Sequence, residues 1–153
     1  MRNCTNIPLM KNSPDKNIVT MFKHNNTSAS ILSVSNSFDL IRGGHLEELD
    51  MAYETWGKLN EDKSNVAVIF TGLSADSHVT SSDRDKSPGW WDGMVGENKA
   101  IDTNKYFVIC INTLGSCFGS TSPVSINKKT GEPYRLTFPE LTVEDMANAS
   151  FML

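Results

Sequence analysis

The chain has 153 residues, a formal net charge of −4 and no basic block. That length allows one domain with a real core, and that charge balance argues against a nucleic-acid surface or a polybasic membrane anchor. The longest apolar runs, VAVIF and FVICI, are each about one strand long, far short of a membrane span.

Residues 1–35 read as a disordered N-terminal extension. The first 30 are polar and Asn-rich, with four Lys/Arg and one acid, and they lack apolar periodicity. The shortage of acids also admits a mitochondrial transit peptide, against which stand a single Arg and few Ser. Three cysteines, Cys4, Cys110 and Cys117, form no CxxC pair and no metal-ligand spacing. A sparse, odd count reads as reduced thiols in a cytoplasmic compartment.

Residues 36–153 read as the folded part. SFDLIRGG alternates apolar and polar and then turns at Gly43-Gly44. HLEELDMAYETWG alternates as well, with Leu46, Leu49, Met51 and Tyr53 on one face. The two runs predict an antiparallel hairpin. NVAVIFTG is continuous and β-branched, which predicts a strand covered on both faces. A polar stretch from Leu73 to Gly89 follows, then GWWDGMVG, expected to be a short helical turn burying at least one of Trp90 and Trp91. IDTNKYFVICIN predicts a second buried strand, and Leu114 to Phe138 a loop of about 25 residues, a length usually tied to function. Finally, PELTVEDMANASFML opens a helix. Thr142 stands at the N-cap and Asp145 three residues on, with Val143, Met146, Ala147, Ser150 and Phe151 on its apolar face. That face runs on to Phe151-Met152-Leu153 without a capping residue, so the folded unit is expected to be incomplete.

Gly115-Ser116-Cys117-Phe118-Gly119 has the outline of a nucleophile elbow with Cys117 as nucleophile. Its surroundings argue otherwise. An elbow follows its strand at once and leads directly into a helix, whereas here three residues intervene and Pro123 sits where the helix would turn. Of His24, His45 and His78, only His78 is placed to serve as a base. Cys117 therefore reads as a packing residue in an ordered loop. GSCFGST lacks the Gly-Lys-Ser/Thr of a phosphate loop. Asp76, His78, Asp83 and Asp85 lack metal-ligand spacing and read as a solvated loop, with no metal expected. Thr71-Gly72-Leu73 carries a different signal: a strand ending in glycine, after which a backbone N–H is free to meet a developing oxyanion.

Taken together, GGHLEELDMAYETWGKLN, NVAVIFTGLSADSH, PGWWDGMVGENKAIDTNKYFVICINTLGSCFGSTSPVSIN, TGEPYR and FPELTVEDM resemble, in order, the homoserine O-acetyltransferase family. The resemblance runs from Leu40 to Leu153, and GLSADSH and INTLGSCFGST lean toward the serine O-acyltransferase branch. One departure is Ser122-Pro123-Val124-Ser125, where relatives carry Gly-Pro-Ala-Ser. The resemblance implies an α/β-hydrolase fold, of which these residues would be the incomplete N-terminal part: an antiparallel edge leading into a mostly parallel sheet. It implies a Ser-His-Asp triad that draws an acyl group from acetyl-CoA or succinyl-CoA and passes it to L-homoserine or L-serine, with no bound cofactor and a homodimer at full length. On this mapping Leu73 donates an oxyanion amide, while Gly72, Ser74, Gly115 and Ser116 belong to the pocket loops. No Gly-x-Ser-x-Gly occurs in the 153 residues, so the chain alone is expected to be inactive, and a non-catalytic truncated module is the alternative reading.

Overall fold

The computed structural model describes residues 28–153. Cys4 and His24, and the disorder and transit-peptide expectations for residues 1–27, lie outside the described residues. Part of the expected disordered extension is ordered: Ser30–Val34 forms strand β1. It pairs antiparallel with β4 (Leu49–Trp56), from Ser30 opposite Tyr53 to Val34 opposite Leu49. The Ser-Ile-Leu-Ser-Val alternation is too short to stand out from its polar surroundings, and it is the long β4 edge that gives it a partner.

Between them, β2 (Phe38–Asp39) and β3 (His45–Leu46) form a short hairpin through Gly43 and Gly44, both at positive φ. The expected hairpin turn is therefore correct, but the long second run continues past it and pairs elsewhere. After β4 the chain turns at Gly57, whose φ is +77° and where a Cβ would lie 2.2 Å from the Tyr106 carbonyl oxygen. Only glycine tolerates both conditions. The remaining strands are β5 (Val66–Phe70), β6 (Val95–Gly96), β7 (Ile101–Asp102), β8 (Phe107–Ile111), β9 (Ile126–Asn127) and β10 (Glu132–Pro133), followed by a 3-10 turn at Arg135–Thr137 and helix α1 (Val143–Ser150).

The main sheet has the order β1-β4-β8-β5, antiparallel from β1 to β8 and parallel between β8 and β5. One face packs Leu49 and Met51 of β4 and Ile109 and Ile111 of β8 against Phe38, Leu46, Leu114, Tyr134, Met146 and Ala149. The opposite face packs Trp56, Val108, Cys110 and Ile69 under Val79 and Val95. Strand β5 departs from expectation. Ile69 is buried, but Val68 and Phe70 on the other face are 46% and 56% exposed. Helix α1 lies over β4, and no described element covers β5 on that side.

Two further expectations change. Trp90 and Trp91 stack on each other 5.7 Å apart in a turn, and neither is buried. Trp90 is held by its indole N–H, which donates to the Asp76 carbonyl. In α1 the capping box of Thr142 and Asp145 is present. The buried residues are Asp145, Ala149 and Ser150, whereas Val143 and Phe151 are exposed. Asp145 turns that face inward because its second carboxylate oxygen accepts the Ile41 N–H at 3.0 Å. Among the described residues no helix is long and apolar enough to cross a membrane.

Candidate oxyanion site

Parallel strands β5 and β8 end side by side, and ligands in open α/β sheets bind beyond such carboxyl ends. Here the two ends are stitched together. The Thr71 hydroxyl donates to the Ile111 carbonyl at 3.0 Å and accepts the Thr113 N–H at 3.2 Å. The Thr113 hydroxyl in turn donates to the Thr71 carbonyl. Beyond Thr71 the chain makes a tight turn, with Ala75 N–H donating to the Gly72 carbonyl at 3.3 Å. Gly72, Leu73 and Ser74 are exposed on this turn, Leu73 by 54%. The Leu73 N–H makes no hydrogen bond among the described residues.

The loop after β8 meets this turn from the side. Gly115, at φ +88°, lies so close that a Cβ there would be 3.0 Å from Leu141 and 3.8 Å from the Leu73 side chain. Ser116, expected in the pocket wall, is buried, and its hydroxyl donates to the Leu73 carbonyl at 3.0 Å. Thus Gly72, Leu73, Ser74, Gly115 and Ser116 do gather at one place. A cavity of about 550 Å³ lies elsewhere, lined by Cys117, Ser122, Ser125, Tyr134, Glu47 and Asp50, and none of those five residues borders it.

The polar stretch after the turn is not the solvated loop the sequence suggests. Asp76, Ser77, His78, Val79 and Thr80 are all buried. His78 Nδ1 lies 3.0 Å from Glu54 Oε2 on β4, and Nε2 lies 2.9 Å from the Ser87 carbonyl. Burial pulls the His78 pKa down, but the Glu54 hydrogen bond, supported by the Ser87 carbonyl and the charges of Glu54 and Asp85, outweighs it and holds the value above that of an ordinary histidine. With both ring nitrogens committed, His78 is not left to activate Cys117. Burial likewise pushes the Cys110 thiol far up, with the Glu54 and Asp76 charges adding to the effect, so that cysteine is an inert core residue. Asp83 is on the surface and pairs with Lys86 instead. Among the described residues no group of three or more His, Cys, Asp or Glu is arranged to hold a metal ion. Sequence reasoning missed Glu54, a buried acid within β4, and Asn112, a buried amide just past the end of β8; no local pattern marked either as buried.

A sheet of this order, with an open backbone amide beyond its parallel strand ends, defines a protein of the α/β-hydrolase fold. Solved structures agree. Homoserine O-acetyltransferase from Bacillus anthracis superposes with a TM-score of 0.73 at 37% identity, over 81% of this chain and 35% of that one. Esterase E22 gives 0.73 at 33% identity, over 81% and 36%. Serine O-succinyltransferase of Stenotrophomonas maltophilia is 53% identical over 118 residues, 77% of this chain and 32% of the relative. The enzyme of that name from Litchfieldella anticariensis is 56% identical over 111 residues, 72% of this chain and 30% of the relative. No protein-family model matches. The chain is thus similar to homoserine O-acetyltransferases and serine O-succinyltransferases of this fold, and it spans about a third of the length of the curated relatives it matches.

Proposed function

We propose that these residues supply the oxyanion-binding part of an acyltransferase that moves an acyl group from acyl-coenzyme A to the side-chain hydroxyl of a small amino acid. The observation that carries this is the Leu73 N–H, which makes no hydrogen bond among the described residues and lies on an exposed turn beyond two parallel strands. In the reaction, a serine hydroxyl from outside these 153 residues attacks the thioester carbonyl and gives its proton to a histidine. The carbonyl oxygen becomes an oxyanion, and the Leu73 amide donates to it. The C–S bond then breaks, and the coenzyme A thiolate leaves and takes up a proton. The amino acid's hydroxyl attacks the resulting acyl-serine, yielding the O-acyl amino acid and restoring the serine.

L-Serine as acceptor and succinyl-CoA as donor are favoured over L-homoserine and acetyl-CoA. The support is the higher identity to relatives named serine O-succinyltransferase, 53% against 37% for the homoserine O-acetyltransferase structure. The 153-residue chain contains no Gly-x-Ser-x-Gly. It is therefore expected to release no thiol from succinyl-CoA and L-serine by itself. Co-expressed with the remaining two thirds of a serine O-succinyltransferase relative, it is expected to support thiol release, faster with L-serine than with L-homoserine. Steady turnover by the chain alone would overturn the assignment of roles, and preference for L-homoserine would reverse the acceptor.

A further inference from the structure

We propose that Asn112 and Ser116 are positioning residues that aim the Leu73 amide. The inference rests on the acyl-transfer reading of that amide and identifies what holds it in place.

The geometry starts from the peptide plane. In a trans peptide the C=O and the N–H point in opposite directions. The Leu73 N–H shares its plane with the Gly72 carbonyl, which is drawn into the turn by the Ala75 N–H at 3.3 Å. The Leu73 N–H therefore faces outward. Two more carbonyls of the same four-residue turn are held from the β8 side. Leu73 O accepts the Ser116 hydroxyl at 3.0 Å, and Ala75 O accepts Asn112 Nδ2 at 3.0 Å. Three carbonyls of the turn are thus fixed, two of them by these side chains.

The direction of the relay follows from donor chemistry. The Asn112 amide nitrogen can only donate. It gives one hydrogen to Ala75 O and the other to Ser116 Oγ at 3.0 Å. Ser116 already accepts there, so its own hydrogen goes to Leu73 O. Ser120 N–H donates to Asn112 Oδ1 at 3.3 Å, which fixes the amide's orientation. Asn112 is itself anchored to β4, its N–H donating to the Ala52 carbonyl at 2.8 Å. Its carbonyl accepts the Ser120 hydroxyl at 2.6 Å. Every polar group of Asn112 is engaged in a rigid line from β4 to the turn.

Exposure separates this role from substrate contact. Asn112 is 0% exposed and Ser116 1%, so neither reaches a ligand and water does not compete for their bonds. Their effect passes through the turn. A donor fixed in advance stabilises an oxyanion without reorganising when the charge forms, and such a relay supplies that fixing.

The test uses the 15N-labelled 153-residue chain without any acyl donor. Ser116→Ala removes the relay but leaves the Asn112 bonds to Ala52 and Ser120. It is expected to shift the Leu73 amide resonance and to speed hydrogen exchange at Ala75 by about five- to tenfold, the scale of one hydrogen bond. Exchange at the paired β8 amides of Val108 and Cys110 should stay unchanged. Ser116→Thr keeps the hydroxyl and should restore the wild-type signature. Asn112→Asp replaces the donor with an acceptor and should reproduce the Ser116→Ala signature at the turn. Unchanged turn amides in Ser116→Ala, acceleration spread equally to Val108 and Cys110, or no rescue by threonine would each overturn the proposal. A failed thiol-release assay with intact turn signatures would instead count against the acyl-transfer reading alone.

Discussion

Strands β5 and β8, VAVIF and FVICI, are parallel neighbours of equal length and similar composition. In β8 each edge has a partner, β4 on one side and β5 on the other, and both faces are packed. In β5 one edge is paired, Ile69 is buried on one face, and Val66, Val68 and Phe70 face outward on the other. Burial is thus a property of neighbours rather than of residue type, and β-propensity alone cannot report it. The side the two strands share is covered by the segment after β5, which the Glu54–His78 pair pins to β4. The other side is covered by α1 and the loops around it, and that cover reaches β8 but not β5.

The largest expected effect comes from unpinning the shared side. His78→Ala takes the imidazole away from buried Glu54, which keeps the Ser77 hydroxyl as a donor at 3.3 Å, and should cost about 3 kcal/mol in denaturant unfolding, the lower end for breaking a buried pair. A loss within experimental error would mean that the segment covers β5 and β8 without the pin. The same pair predicts a pH dependence. A histidine whose folded pKa is raised contributes stability that is complete below its unfolded value, about 6.5, and is lost as pH rises through the folded value. The wild-type melting temperature should fall as pH rises above about 6.5, and His78→Ala should lose that slope.

The contrast between covered and bare strand is tested next. Leu49→Ala, at a fully buried site beneath α1, should cost about 3 kcal/mol. Val68→Ala, on the bare face of β5, should stay within about 0.5 kcal/mol. Equal costs would show that β5 is as enclosed as β4.

A smaller loss than that at Leu49 is expected in the cover itself. Asp145→Ala removes the carboxylate that accepts the Thr142 and Ile41 N–H groups at 2.8 and 3.0 Å, and should cost about 1 kcal/mol. Burial raises the Asp145 pKa, but its hydrogen bonds to Thr142 and Ile41 outweigh that and hold it below the ordinary carboxylate value. Stability from a depressed carboxylate is present above the unfolded pKa, about 3.9, and is lost as pH falls through the folded one. Acid titration of helicity should therefore show a low-pH loss that Asp145→Ala lacks.

From the sequence by itself came the features written in consecutive residues. These are the two apolar strands, the glycine turn after Gly43, the Thr142–Asp145 cap and the turn at Gly72 that opens the Leu73 amide. Each depends on groups within a few residues of one another. Tertiary structure alone decided the rest. It made a strand of Ser30–Val34 by laying it along β4, and it left one face of β5 bare. It buried His78 against Glu54, 24 residues away, and joined Asn112 to Ala75, 37 residues away. The reason is physical: a side chain's burial and hydrogen-bond partners depend on which distant segments the fold brings beside it, and no local pattern encodes that.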